Sequence, residues 1–198
     1  MKKINFRKFK FGKMNINDLD DRTLLINLYA TQFLTLSLGL IIIGFQENNR
    51  LIPMLSLLNY QKVFIWGSLF TIIVIVADLL ISRWVPDEVT DDGGVNKKIF
   101  RTRALWHIAV LSLVIAICEE ILFRGAVQHY MGPYWTSIVF AAIHIRYLRH
   151  WLMTGLVFGI SYGLGWIYIQ TGSLWTPILA HFLIDFVMGC IIRYGRNE

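Results

Sequence analysis

Three groups of polar side chains in this 198-residue chain stand where polar side chains are expensive. Glu119, Glu120 and Arg124 follow the apolar run ALWHIAVLSLVIAI. His144 comes four residues after Phe140, and Asp185 four after His181. On a helix that interval keeps two side chains on one face. Glu120 can therefore pair with Arg124, and His181 and Asp185 point to the same place. Glu119 is turned about 100° from Glu120, so the two glutamates have different jobs. One meets Arg124 and holds the fold; the other looks into a polar cavity. Imidazoles and carboxylates are zinc ligands, and two His with one Glu is a known catalytic set. Without a metal, the same groups can activate water. Either way the chemistry is attack of water on an unreactive carbonyl, and hydrolysis of a peptide bond inside a membrane fits it. The chain has no HExxH, no Gly-x-Ser-x-Gly elbow and no zinc-finger spacing.

The elements that carry these groups must live in lipid. The chain is 56% hydrophobic and 16% charged, with a mean hydropathy of +0.54; soluble domains carry about 25% charged residues. Nothing ionises between Arg22 and Glu47. Of Asp, Glu, Lys and Arg, residues 63–82 hold only Asp78 and 151–192 only Asp185. A spanning helix needs about 20 mostly apolar residues, and helices satisfy their own backbone in lipid. The expected fold is all-α: a polytopic transmembrane bundle of about six spans, 23–45, 62–82, 104–130, 134–150, 151–170 and 173–192. Gly132-Pro133 separates the third span from the fourth, and Thr171-Gly172-Ser173 the fifth from the sixth.

Basic residues orient the bundle. They crowd the first 22 residues, the 83–103 loop and the C-terminal tail, with Arg146 and Arg149 at the next inner turn. The positive-inside rule then puts both termini in the cytoplasm. Residues 1–22 form a basic tail, 23–192 the transmembrane domain and 193–198 a C-terminal tail. The net charge of +6 reads as contact with anionic lipids. No RNA-binding platform surrounds the tail, so nucleic acid is not an expected partner. Cys118 and Cys190 lie in apolar runs and read as small buried hydrophobes. Gly155, Gly159 and Gly163 read as a strip for close helix packing. Asn27 and Gln32 read as glue between helices. His107, His129 and His150 stand near span ends, and Asp78 near Arg83, where solvation or local pairing accounts for it.

The three motifs together resemble the CAAX-protease and bacteriocin-processing (abortive-infection) family of intramembrane metalloproteases. Its signatures are Glu-Glu-x-x-x-Arg, Phe-x-x-x-His and His-x-x-x-Asn/Asp. Here they read EEILFR from Glu119, FAAIH from Phe140 and HFLID from His181, within a protease-like core at 104–192. The resemblance implies an intramembrane endopeptidase acting on a membrane-associated, in part prenylated, peptide or protein. It makes Glu119, His144, His181 and Asp185 catalytic, with Glu120, Arg124 and Phe140 in support. If Zn2+ or another divalent metal is bound, Glu119, His144, His181 and Asp185 are its ligands; activation of water without a metal stays open. Asp stands here where the family often has Asn. Ionised Asp only accepts hydrogen bonds, so an oxyanion role passes mainly to His181.

Two other readings of the same residues stand: a non-proteolytic scaffold or immunity protein of the same fold, and an ion- or proton-coupled transporter. The short chain suggests a bacterial cell membrane. Oligomeric state is not readable. Depth poses a problem. Glu119 is about 24 Å along a helix from Arg103, while His144 lies a few residues from the inner edge of its span. A tilt, a kink or an inner boundary near His150 is needed to bring them together.

Overall fold

The computed structural model describes residues 20–47, 51–57, 59–86 and 94–195. Most of the expected basic tail (1–19), part of the 83–103 loop (87–93) and residues 196–198 lie outside the described residues. The described residues form helices and no strands: α1 Asp21–Gly44, α2 Leu51–Met54, α3 Tyr60–Trp84, α4 Val95–Phe100, α5 Leu105–Glu120, a π-helical segment Ile121–Val127, α6 Gln128–Ile143, α7 Trp151–Thr171 and α8 Trp175–Tyr194. Five helical stretches are long and apolar enough to cross a membrane. The protein is a polytopic all-α membrane bundle.

One of the five, Leu105–Ile143, is a hairpin. Gly132 takes φ 69°, ψ 171°, a region essentially closed to residues with a Cβ, and Pro133 follows. The rings of Phe123 and Phe140 meet at 4.8 Å; in a straight helix they would stand about 25 Å apart along the axis. The chain therefore folds back at Gly132. Thr136 and Ser137 donate to the carbonyls of Gly132 and Pro133 and stabilise the start of the returning arm. The sequence break between the third and fourth spans falls at this turn. The returning helix ends at Ile143, however, and 144–150 are turns rather than the expected end of a 134–150 helix.

Cross-links give the direction of each pass. Arg124 bonds Ser161 and Gln128 bonds Gly165, the same separation of 37 residues, so the first hairpin arm and α7 run parallel. Gln32 reaches Glu119, and Gln46 reaches Gly125, so α1 runs the same way. On the opposite course, Gly67 lies against Thr176 and Thr71 donates to Ala180, making α3 parallel to α8. Passes therefore alternate. Asp21 pairs with Arg103, and Arg193 donates to the Arg103 carbonyl, which gathers the start of α1, the start of α5 and the end of α8 at one end of the bundle.

Helix α8 is the axis, packed on α3, α4, α5 and α7. The largest apolar core surrounds the π-helical segment, with Ile121, Leu122, Phe123, Phe140, Leu174 and Ile178 buried together. Helix α1 comes so close there that a Cβ on Gly39 would stand 3.0 Å from the Leu122 backbone. The outward sides of α1 and α3 are apolar and exposed, as at Phe33, Leu34, Phe64 and Ile65. Such faces belong against lipid.

Candidate active site

The site is assembled on the hairpin. Helix α5 delivers Glu119 and Glu120 at its last turn, and the chain then widens into the π-helical segment. A π turn bonds i to i+5 and leaves carbonyls without their α-helical donors; such turns concentrate at functional sites. Here Gln46 donates Nε2 to the Gly125 carbonyl at 3.0 Å and lies 3.4 Å from that of Ala126.

Glu120 and Arg124 are sealed inside. Glu120 Oε1 accepts from Arg124 Nη1 at 3.0 Å, and both side chains are 0% exposed. Arg124 also donates to the Ser161 carbonyl (2.9 Å) and hydroxyl (3.0 Å) and stacks over Phe140 at 5.3 Å. One guanidinium thus ties both arms of the hairpin to α7. An ion pair this deep needs its hydrogen bonds; here Glu120 Oε2 and Arg124 Nε are the buried atoms of the pair that find no partner among the described residues. Glu120 has a second partner: His181 Nδ1 lies 2.7 Å from the same Oε1. A carboxylate accepts, so Nδ1 carries the proton. Asp185 Oδ2 stands 3.5 Å from the other ring nitrogen, Nε2. The family-type support residues are therefore coupled to the catalytic candidates: Arg124 fixes Glu120, and Glu120 fixes His181.

Glu119 turns the other way. It is partly exposed and receives Gln32 Nε2 at 3.3 Å. It lines a cavity of about 850 Å³ that also has His144, His181 and Asp185 in its wall. His144 Nδ1 lies 2.7 Å from the Phe140 carbonyl. A carbonyl only accepts, so in neutral His144 the lone pair is on Nε2. The His144 ring is also held between Phe140, at 4.5 Å, and Tyr147, at 6.1 Å. The depth problem has a simple solution. The returning arm Pro133–Ile143 is only about 16 Å long, and its contact of Phe140 with Phe123 puts His144 level with the two glutamates. The span boundary expected at 150 lies instead at Ile143.

Gln32 ties α1 to α5, as expected, and its amide ends on Glu119. Asp78 is half-buried and lines the cavity. The glycine strip divides: a Cβ on Gly163 would stand 2.3 Å from Phe70, whereas Gly155 and Gly159 have nothing within 4 Å and line the cavity. Only Gly163 serves close packing. Ser161 carried no sequence signal. Of the other histidines, His107 lies 3.4 Å from the Tyr29 hydroxyl and stacks on Trp106.

The donor set suits a divalent metal by its chemistry: two imidazoles each held through Nδ1, with carboxylates nearby. It does not suit one by position. Among the described residues, no three His, Cys, Asp or Glu side chains converge to hold an ion.

The family described as type II CAAX prenyl endopeptidase Rce1-like matches residues 101–187, which contain all three motifs. "Uncharacterized protein YpbD" of Bacillus subtilis (strain 168) is 46% identical over 134 residues, covering 68% of this chain and 71% of the relative. No solved structure matches. With its motifs in order on separate membrane helices and meeting at one cavity, the chain belongs to the CAAX-protease family of Rce1-like, type II CAAX prenyl endopeptidases that those motifs resemble.

Proposed function

We propose that this protein is an intramembrane endopeptidase that hydrolyses a peptide bond of a membrane-associated, prenylated peptide or protein. The observation that carries the reading is the shared cavity. Glu119, His144, His181 and Asp185 come from three motifs and line one wall system, while Glu120 and Arg124 are sealed behind it. In the proposed reaction a water hydrogen-bonds to Glu119 and to His144 Nε2. Glu119 takes its proton as the oxygen attacks the carbonyl carbon. His181, doubly protonated, keeps Nδ1–H on Glu120 and offers Nε2–H to the oxyanion. Glu119 then passes its proton to the departing amine, the C–N bond breaks, and the new carboxylic acid gives its remaining proton to the amine, so that a carboxylate and an ammonium are released. Asp185 steadies the His181 ring. An apolar wall from α3 and α7, including Phe70, Ile73, Val74, Met153 and Ile160, suits a lipid chain on the substrate.

We place the protein in a bacterial cell membrane with both termini in the cytoplasm. The Bacillus relative supports the first point. The second is supported by the clustering of Lys97, Lys98, Arg101, Arg103 and Arg193 at the end where α1 begins and α8 finishes.

The test is cleavage of an internally quenched, farnesylated reporter peptide by the purified protein in nanodiscs. Wild type should cleave it, and Glu119→Gln and His144→Ala should each lose about 10²-fold or more. A folded wild-type protein that cleaves no reporter, or a Glu119→Gln variant with full activity, would sink the reading and favour the scaffold or transporter alternatives. The same assay with a chelator decides the metal. Survival supports the metal-free route, whereas loss that Zn2+ restores assigns an ion to Glu119, His144, His181 and Asp185.

A further inference from the structure

The cavity holds one carboxylate that the proposed reaction does not use. Asp78 sits half-buried in its wall on α3, beside the apolar Phe70, Val74 and Ala77. The other carboxylates of the wall have partners: Gln32 reaches Glu119, and His181 stands beside Asp185. The arginine of the wall, Arg146, lies over the Tyr147 ring. No hydrogen bond or ion pair reaches Asp78 among the described residues. A carboxylate on a membrane helix is costly unless a partner meets it, and a charge pair gains strength where apolar walls lower the dielectric.

Register gives its depth. Gly67 lies against Thr176 and Thr71 donates to Ala180, the same offset of 109 residues. Continued down these two parallel helices, it brings Ile72 level with His181 and Asp78 level with Val187. Asp78 is therefore about 9 Å below His181, toward the end of the bundle where α3 and α8 finish. The hollow continues down to that level, since Met188 and Ile192 also line it. An extended peptide advances about 3.3–3.6 Å per residue. With a scissile carbonyl at His181, the side chain two or three residues along the peptide comes level with Asp78.

We propose that Asp78 is a specificity residue that pairs with a lysine or arginine side chain of the substrate, two or three residues from the scissile bond. The inference rests on the peptidase reading above and adds a recognition group to it. A reporter series tests it in nanodiscs of phosphatidylcholine alone, which removes anionic lipid as a source of attraction. One lysine is moved through the positions within three residues of the scissile bond, with glutamine at the same position as control. Wild type should favour lysine over glutamine about tenfold in kcat/KM at the second or third position and little next to the bond. Asp78→Asn should flatten the series, and Asp78→Lys should move the preference to a glutamate at the same position. Binding of the same labelled peptides to the Glu119→Gln protein, with and without Asp78→Asn, gives a readout that needs no turnover. The lysine peptide should bind about tenfold tighter, and only with Asp78 present. Equal binding of the lysine and glutamine peptides, or a preference that Asp78→Asn leaves intact, overturns the inference. Absence of cleavage of every reporter by wild type overturns the peptidase reading instead, and binding still decides the pairing with Asp78.

Discussion

Helix α3 and the hairpin are similarly apolar, yet of the most apolar 18-residue stretch only 11% is buried inside the bundle in α3 against 44% in the hairpin. Apolarity places both in the membrane. It does not decide which of them faces lipid. Polar groups decide that, because in lipid each must find a partner inside the protein. The hairpin carries Glu119, Glu120 and Arg124 and is wrapped by α1, α7 and α8. Helix α3 turns Asp78 to the cavity beside Phe70, Val74 and Ala77, and leaves Ile65, Ile72 and Leu80 outward.

Damage to the two regions should therefore differ in size. The largest loss is expected from Arg124→Met. It leaves Glu120 buried without its cation and unties α7, at a cost of about 3–5 kcal/mol. A melting temperature within a degree or two of wild type would show that the clamp is dispensable. Smaller effects should come from α7, where one helix allows both outcomes. Gly163→Ala forces Phe70 aside and should cost about 1–3 kcal/mol, while Gly159→Ala should leave the melt unchanged or raise it slightly. Equal melts for the two variants would contradict the division of the strip. Gln32→Leu removes the amide from Glu119; reporter kcat/KM should fall about two- to tenfold with little change in stability. On the lipid face, Ile65→Ala should alter stability by about 0.5 kcal/mol or less, as read by the same melts. A large loss there would mean that α3 has a partner helix on its outer side.

Much of this was legible in the sequence, because charge is so rare in an apolar chain that each ionisable residue stands out. The gaps between charges marked the helices, and Gly132-Pro133 marked the reversal. The four-residue intervals put Glu120 on Arg124 and His181 beside Asp185. What was hidden has physical reasons. The π-helical segment uses the same apolar residues as an α-helix, and seven residues are too few for its period to show. Helix α6 ends at Ile143, just before HIRYLR, without Gly, Pro or a cap to signal it, and that early end sets the depth of His144. Gln32 and Ser161 look like ordinary polar residues of membrane helices until the fold aims one at Glu119 and the other at Arg124. The glycines at 155, 159 and 163 share one spacing, and only the neighbour opposite each decides whether it serves packing or space.

The central claim is that two adjacent glutamates are divided by direction, Glu119 toward the cavity and Glu120 toward the buried clamp. The most direct measurement compares Glu119→Gln with Glu120→Gln for both thermal melting and reporter cleavage in the same nanodiscs. The account predicts that Glu119→Gln melts like wild type and is inactive, while Glu120→Gln melts markedly lower and loses activity along with its folded fraction. A Glu120→Gln protein that melts like wild type and is as inactive as the Glu119 variant would contradict it.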